Sequence, residues 1–504
     1  MDVAVAAAQL RDYFAGHVAV CASEPGGMTV VLEGADSGFD LDTAHDKLVL
    51  HLWTAERSLV RRVLAVTAER SALTLQCLRF GQRHATPLYL APAANAARRE
   101  GASAEFLARL RTRLQHTWPE ARLVPGVAGT ELPESRHPCF LFRRGAQYAA
   151  CVAAAPEAPQ AVLDAALTRL VLWSDSLASR LPGGVLNARR VVLPAGRHAT
   201  TRARMSCLRA GRGWELFEYA VGRQSDGPGE LTRVEIHDGN LESRLRRALH
   251  PDPELPLECA ALLDRLRQCC PDIVPQWDAE GLIHFRLHGL VCARQARLHE
   301  SLLAPFVHAA GRGAGAETTA PLTAAAWPAF ERWLRRLAQQ RRPDAKQRGF
   351  WYRLRPEDWM EEVLRRDLGQ VEPACDPRHV YAQVPVCTGA QRDVLDLLAV
   401  RRDGVLCVME LKAEENVGFP LQGLDYWLRV RHHQRAGDFE RLGYFPGVRL
   451  SPAPPELYLV APALRWHPRA DVLLRAIAPE VPVRRLGVNE EWRRGMHVVE
   501  LRQG

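Results

Sequence analysis

Arg392–Trp427 reads RDVLDLLAVRRDGVLCVMELKAEENVGFPLQGLDYW. Two short apolar runs, VLDLLAV and VLCVMEL, flank Arg402-Asp403-Gly404, a turn signal whose glycine can take the left-handed conformation. A three-residue loop at 402–404 is flanked by Arg401 and Val405, and that register sets Asp396 directly opposite Glu410. Directly paired positions hold their Cβ atoms roughly 4.5–5.5 Å apart, where like charges destabilise a sheet unless something neutralises them. Lys412, two residues past Glu410, shares that face, while Leu395, Leu397, Met409 and Leu411 take the other.

An amphipathic hairpin with a wet face would also carry charges in this pattern. The remaining residues argue against it. Val394, Leu398, Val400, Leu406 and Val408 lie on the same face as the charged trio, so both strands are apolar on both sides. Charges inside such strands need partners or a function.

On these residues the region from about 350 to 460 resembles the PD-(D/E)XK nuclease superfamily, and the Gln-x-x-x-Tyr helix after it suggests the RecB-like branch that includes the NucS-type endonucleases. Asp396 matches the acidic residue of the first strand, with Leu395 where many members carry proline. Glu410 and Lys412 fill the Glu-x-Lys element. The family also places an acidic residue on a preceding helix, for which EDWMEEVLRRDL offers Glu361, Glu362 and Asp367. At 100° per residue Glu361 flanks the stripe of Met360, Val363, Leu364 and Leu368, whereas Glu362 points away, so Glu361 is the choice. An ordinary first-turn glutamate, favoured by the helix dipole, explains Glu361 equally well.

The resemblance implies a restriction-endonuclease-like mixed sheet flanked by helices. In it Asp396, Glu410 and the carbonyl of Leu411 would hold Mg²⁺ or Mn²⁺, hard cations that keep several waters and accept phosphate oxygens. Lys412 would orient or help deprotonate the attacking water and stabilise charge in the transition state. Pro420 suits the first turn of a helix through LQGLDYWLRVRHHQ, with Gln422 and Tyr426 at i and i+4 and Arg429 and His433 continuing that face toward DNA. By resemblance Gln422 and Tyr426 would brace the site and contact phosphate or base. For His432 and His433 a structural or solvated role is the better reading, since no second histidine pair at ligand spacing accompanies them. Further strands are expected at ELYLVAP and twice in the tail VPVRRLGVNEEWRRGMHVVELR, with a helix near Asp471–Ile477 between them.

The chain has 504 residues, 47% apolar and 25% charged, an ordinary globular balance for two to four domains. There is no signal-peptide pattern and no apolar run of about 18 residues, which leads to the expectation of a soluble cytoplasmic protein with no membrane association. Twelve cysteines without CxxC pairs point to reduced thiols. The net charge of +8 favours a polyanion, and arginines cluster in ERWLRRLAQQRR, where Arg335 and Arg336 are candidate DNA contacts beside Arg332, Arg341 and Arg342. A solvated amphipathic helix with Trp333 and Leu337 inward fits that stretch as well.

Upstream, residues 1–125 alternate β-like runs and reach a helix over 104–115, an α+β module. Residues 126–308 mix FLFRRGAQYAACVA, a helix through PQAVLDAALTRLVLWSDSLASRL, the strands RRVVLP and WELFEYAV, and a helix near 256–269. The small-residue stretch 309–328 reads as a linker before the nuclease-like domain, 329–504. Its GRGAGAETT lacks the lysine of a phosphate loop. The whole is read as an α+β multidomain chain whose C-terminal domain is an Mg²⁺-dependent DNA endonuclease in repair or in defence against foreign DNA, with an N-terminal half that selects DNA, a protein partner or a second copy. The rival readings are a non-cleaving DNA-binding module and a protein-interaction module on the same fold.

Overall fold

The structure is a computed structural model that describes residues 2–17, 19–23, 29–33, 38–43, 47–53, 58–69, 72–78, 85–92, 106–124, 137–156, 158, 160–178, 180–181, 184–220, 230–238, 243–248, 255–277, 281–299, 302–308, 319–345, 349–388 and 391–503. It is a mixed α+β chain with four sheets among the described residues, divided by its contacts into two units. One comprises 1–205 and 210–237, the other 206–209, 238–311 and 316–504.

The first unit holds a seven-stranded antiparallel sheet between Ala19 and Pro92, built from the alternating runs read in the sequence. The helix Val3–Ala15 caps its core with Ala6, Ala7, Leu10 and Phe14. A six-stranded sheet follows. Its central strands Gln147–Ala153, Val185–Pro194 and Trp214–Ala220 run parallel, and the helix Gln160–Ala178 makes the first crossover that parallel strands require.

The second unit opens with a five-stranded antiparallel meander, Ile273–Trp277, Ile283–Leu287, Leu290–His299, Leu302–His308 and Thr319–Pro321. Helices Leu257–Cys269 and Trp327–Gln340 share one core with it, in which Leu263, Leu266, Phe285, Trp327 and Leu334 meet. The expected linker therefore differs from what is found. Residues 309–318 lie outside the described residues, but Thr319–Pro321 belongs to this sheet, and the helix after it packs on residues from before 309. Apolar stripes on 257–269 and 327–340 need one another for burial, and composition alone does not reveal that.

The last sheet has seven strands in the order Ser243–Leu245, Cys375–Thr388, Gln391–Arg401, Leu406–Leu411, Glu456–Pro462, Val483–Val488 and Val498–Gln503. Leu406–Leu411, Glu456–Pro462 and Val483–Val488 are parallel, and the other pairings are antiparallel. The hairpin forms in the expected register: Leu397 faces Met409, Val400 faces Leu406, and Gly404 turns the loop at φ 85°. Every residue of Leu406–Leu411 is buried, as a sheet covered on both faces demands. Leu397, Met409, Leu411 and Tyr458 share a core with Trp359, Met360, Val363 and Leu364 of the helix Pro356–Arg366. The helix Phe419–Arg435 lies against Leu457 and Leu459, so closely that a Cβ on Gly423 would come within 2.5 Å of the Leu459 side chain.

Arg341 ties the meander to the helix Pro356–Arg366. It is fully buried, its guanidinium donates to the carbonyls of Leu287, His288, Trp351, Leu354 and Arg355, and it stacks 4.7 Å from the Trp359 ring. This corrects its reading as part of a basic surface. A guanidinium has five donors in a rigid fork, enough to satisfy a convergence of carbonyls that the C-terminal end of a helix and two loops would leave bare. The cysteines whose side chains are described are free thiols, buried except for Cys139 and Cys269. No helix among the described residues is long and apolar enough to cross a membrane.

Candidate active site

Asp396 lies where the hairpin ladder opens. The paired register of its strand with Leu406–Leu411 ends at Leu397 and Met409, one step short of Asp396 and Glu410. In place of the next ladder bond, the backbone N–H of Leu411 donates to Asp396 Oδ2 at 2.9 Å. On the far side Lys412 N–H bonds the carbonyl of Val460, keeping the strand in the sheet. Pro462, two residues beyond Val460, has no N–H with which to extend that ladder.

The Glu410 side chain is 2% exposed, and its Oε1 accepts from Lys412 Nζ at 3.0 Å. Burial works against the Lys412 charge. Glu410, Asp396 and Glu357 outweigh it and hold the ammonium above its ordinary pKa. A lysine kept charged in this way suits charge stabilisation better than proton abstraction. Its Nζ also stands 5.8 Å from the centre of the Phe419 ring, at the start of the following helix.

The helix Pro356–Arg366 brings two carboxylates to this end of the sheet. Glu361 is 1% exposed, and burial pushes its pKa up to about 7, with Arg286 and Arg365 opposing the rise and Asp358 and Asp396 adding to it. Its Oε1 accepts from Gln276 Nε2 at 3.4 Å and its Oε2 from Gln383 Nε2. Glu362 points elsewhere, as its helical phase requires, and its Oε2 accepts the N–H of Gly289 at 2.7 Å. Asp367 caps the end of the helix beside Arg366.

Sequence reading missed two residues. Glu357, one turn before Glu361, accepts from Ala413 N–H at 3.4 Å and acts on the Lys412 charge. Its i, i+4 spacing from Glu361 was the available signal. Gln383 carried none, because it faces Asp396 only through the pairing of Cys375–Thr388 with Gln391–Arg401.

Asp396 thus bonds the Leu411 N–H, Glu410 pairs with Lys412, and the Asp396 charge acts on Glu361. The helix face that continues from Gln422 does not open to solvent. Gln422 is half-buried and Tyr426 buried, and Arg429, also buried, lies 5.7 Å from the Tyr426 ring. His433 is 2% exposed; Nδ1 meets Asp438 Oδ2 at 2.6 Å and Nε2 meets Ser243 Oγ at 2.9 Å. Burial lowers its pKa despite the pull of Asp438. The expectation of Arg429 and His433 as DNA contacts is corrected accordingly: His433 is a brace joining the helix, its following turn and an edge strand, and Arg429 is enclosed with it. Arg335 and Arg336 are exposed on Trp327–Gln340, Arg335 pairing with Glu331 at 2.6 Å.

Among the described residues, no group of three or more His, Cys, Asp or Glu side chains is gathered as a metal site. Asp396 and Glu410 carry hard carboxylate oxygens, the donor type divalent cations prefer. The chain matches no family model and no curated protein sequence.

Proposed function

We propose that the C-terminal region is a metal-dependent endonuclease that hydrolyses DNA phosphodiester bonds on a restriction-endonuclease-like fold, within DNA repair or defence against foreign DNA. One observation carries the reading. Asp396 bridges to Leu411 at the opening of a doubly buried hairpin, beside the buried Glu410–Lys412 pair. Ionised groups buried inside a sheet need partners or a function, and a cluster of them at a ladder opening is a site candidate.

Asp396 and Glu410 would hold Mg²⁺ or Mn²⁺, with the Leu411 carbonyl as a further ligand. The bound ion supplies Lewis acidity toward a phosphate oxygen and a more acidic water. The protein's own groups do the rest. Lys412, kept protonated by its carboxylate neighbours, donates to a phosphate oxygen and offsets the charge that builds there. Glu361, whose proton is exchangeable near neutrality, accepts a proton by way of water. Gln422 and Tyr426 stiffen the helix that follows the Lys412 loop. Arg335 and Arg336 are the exposed cations offered to the phosphate backbone.

The test is cleavage of single-stranded, duplex, mismatched and branched DNA with Mg²⁺, Mn²⁺ or EDTA, comparing wild type with Asp396→Ala and Lys412→Ala. Metal-dependent cutting abolished by both substitutions in folded protein supports the reading. Binding without cutting in every substrate would turn the assignment to a non-cleaving module.

A further inference from the structure

Within Cys375–Thr388, Ala382 pairs with Leu397 and Val384 with Leu395, but the step between them, Gln383 opposite Asp396, is missing from the ladder. Gln383 has φ 53°, the left-handed region that a residue with a Cβ adopts only when its surroundings impose it. Its amide donates to Glu361 Oε2, while Gln276 of the meander donates to Glu361 Oε1. The charged groups around that carboxylate are Arg286 from the meander, Asp358 and Arg365 from its own helix, and Asp396 across the sheet.

We infer that Gln383 is a positioning residue: its left-handed backbone breaks the ladder opposite Asp396 and turns its amide onto Glu361, fixing that carboxylate with Gln276 as the second arm. This rests on the nuclease reading and deepens it. Neutral amides hold a carboxylate without cancelling its charge, so Glu361 stays available to the reaction. Two other non-glycine residues with positive φ border the same helix. Arg355 precedes its first turn, and the His288 ring stacks 4.8 Å from Trp359. Strained backbone therefore collects around the helix that carries Glu361. The meander, which supplies Gln276 and Arg286, is a wall of this site and not a separate module.

The experiment compares wild type, Gln383→Gly, Gln383→Glu and Asp396→Ala by thermal melting, Mn²⁺ calorimetry and cleavage of the preferred DNA. Glycine accepts the left-handed backbone and removes the amide. Gln383→Gly is expected to melt close to the wild-type temperature, relief of the left-handed strain offsetting the lost amide bond to Glu361, while Mn²⁺ affinity or cleavage drops about 10- to 100-fold, the usual loss for a residue that orients an active-site ligand. Gln383→Glu keeps the shape without the donor and should lose as much. A Gly or Glu variant with wild-type cleavage and Mn²⁺ affinity overturns the inference, as does activity lost only in step with melting temperature. Wild type that neither cuts DNA nor binds Mn²⁺ overturns the nuclease reading, and this inference with it.

Discussion

Asp396 Oδ2 accepts the backbone N–H of Leu411 at 2.9 Å, so the side chain of one strand completes the ladder of the next at the point where the two separate. On the proposed reading the same carboxylate holds a strand and serves the chemistry. Substitutions can separate these roles. Asp396→Asn keeps an oxygen acceptor for Leu411 and should cost less than about 1 kcal/mol of stability, whereas Asp396→Ala leaves a part-buried N–H unsatisfied at a cost of about 1–3 kcal/mol. Both should abolish cleavage. Urea denaturation run beside the nuclease assay checks this, and equal stability of the two variants would show that the Leu411 bond contributes nothing.

On the proposed reading Glu361 is expected to make stability and activity respond oppositely to pH. A carboxyl whose pKa rises on folding from 4.5 to about 7 binds its proton more tightly in the folded state. Its contribution is complete below the unfolded value and lost as pH rises through about 7, on the order of 3 kcal/mol in all. On the proposed reading cleavage would use the ionised form and should climb across the same interval. Melting curves from pH 4.5 to 8 should show the stability trend in wild type and a flatter one in Glu361→Gln.

Arg341 is buried among carbonyls of three chain segments. Arg341→Leu removes the charge but strands those acceptors, so a loss of at least about 3 kcal/mol is expected. Chemical denaturation measures it. Arg335→Ala, on the exposed face of the adjacent helix, should change stability by no more than about 0.5 kcal/mol.

His433 ties Ser243 to Asp438, which makes it part of the scaffold. His433→Ala should lower the melting temperature and leave DNA affinity and its salt dependence unchanged. Arg335→Ala with Arg336→Ala should weaken binding similarly on all sequences and reduce the slope of log affinity against log salt by up to about 2. Titrations at several salt concentrations distinguish these outcomes, and a loss of affinity in folded His433→Ala would return that residue to the DNA surface.

The hairpin, its register, the Glu410–Lys412 face and the flanking helices were legible in the chain because each depends on local physics. Period-two burial, a left-handed glycine and a proline at a helix start act within a few residues. The placement of Glu361 near the sheet followed from helical phase alone.

What tertiary structure decided is which faces meet. Gln276 and Gln383 reach Glu361 across 85 and 22 residues of chain, and neither separation leaves a pattern in a sequence. A face of Tyr426, Arg429 and His433 looks solvent-directed from its polarity, yet the edge strand Ser243–Leu245 and the turn at Asp438 enclose His433. Arg341 and Arg335 belong to one arginine run, and only packing sends one inside and the other to solvent. Local sequence sets periodicity and turn chemistry, while the partners of a buried polar group are fixed by which distant segments the core brings against it.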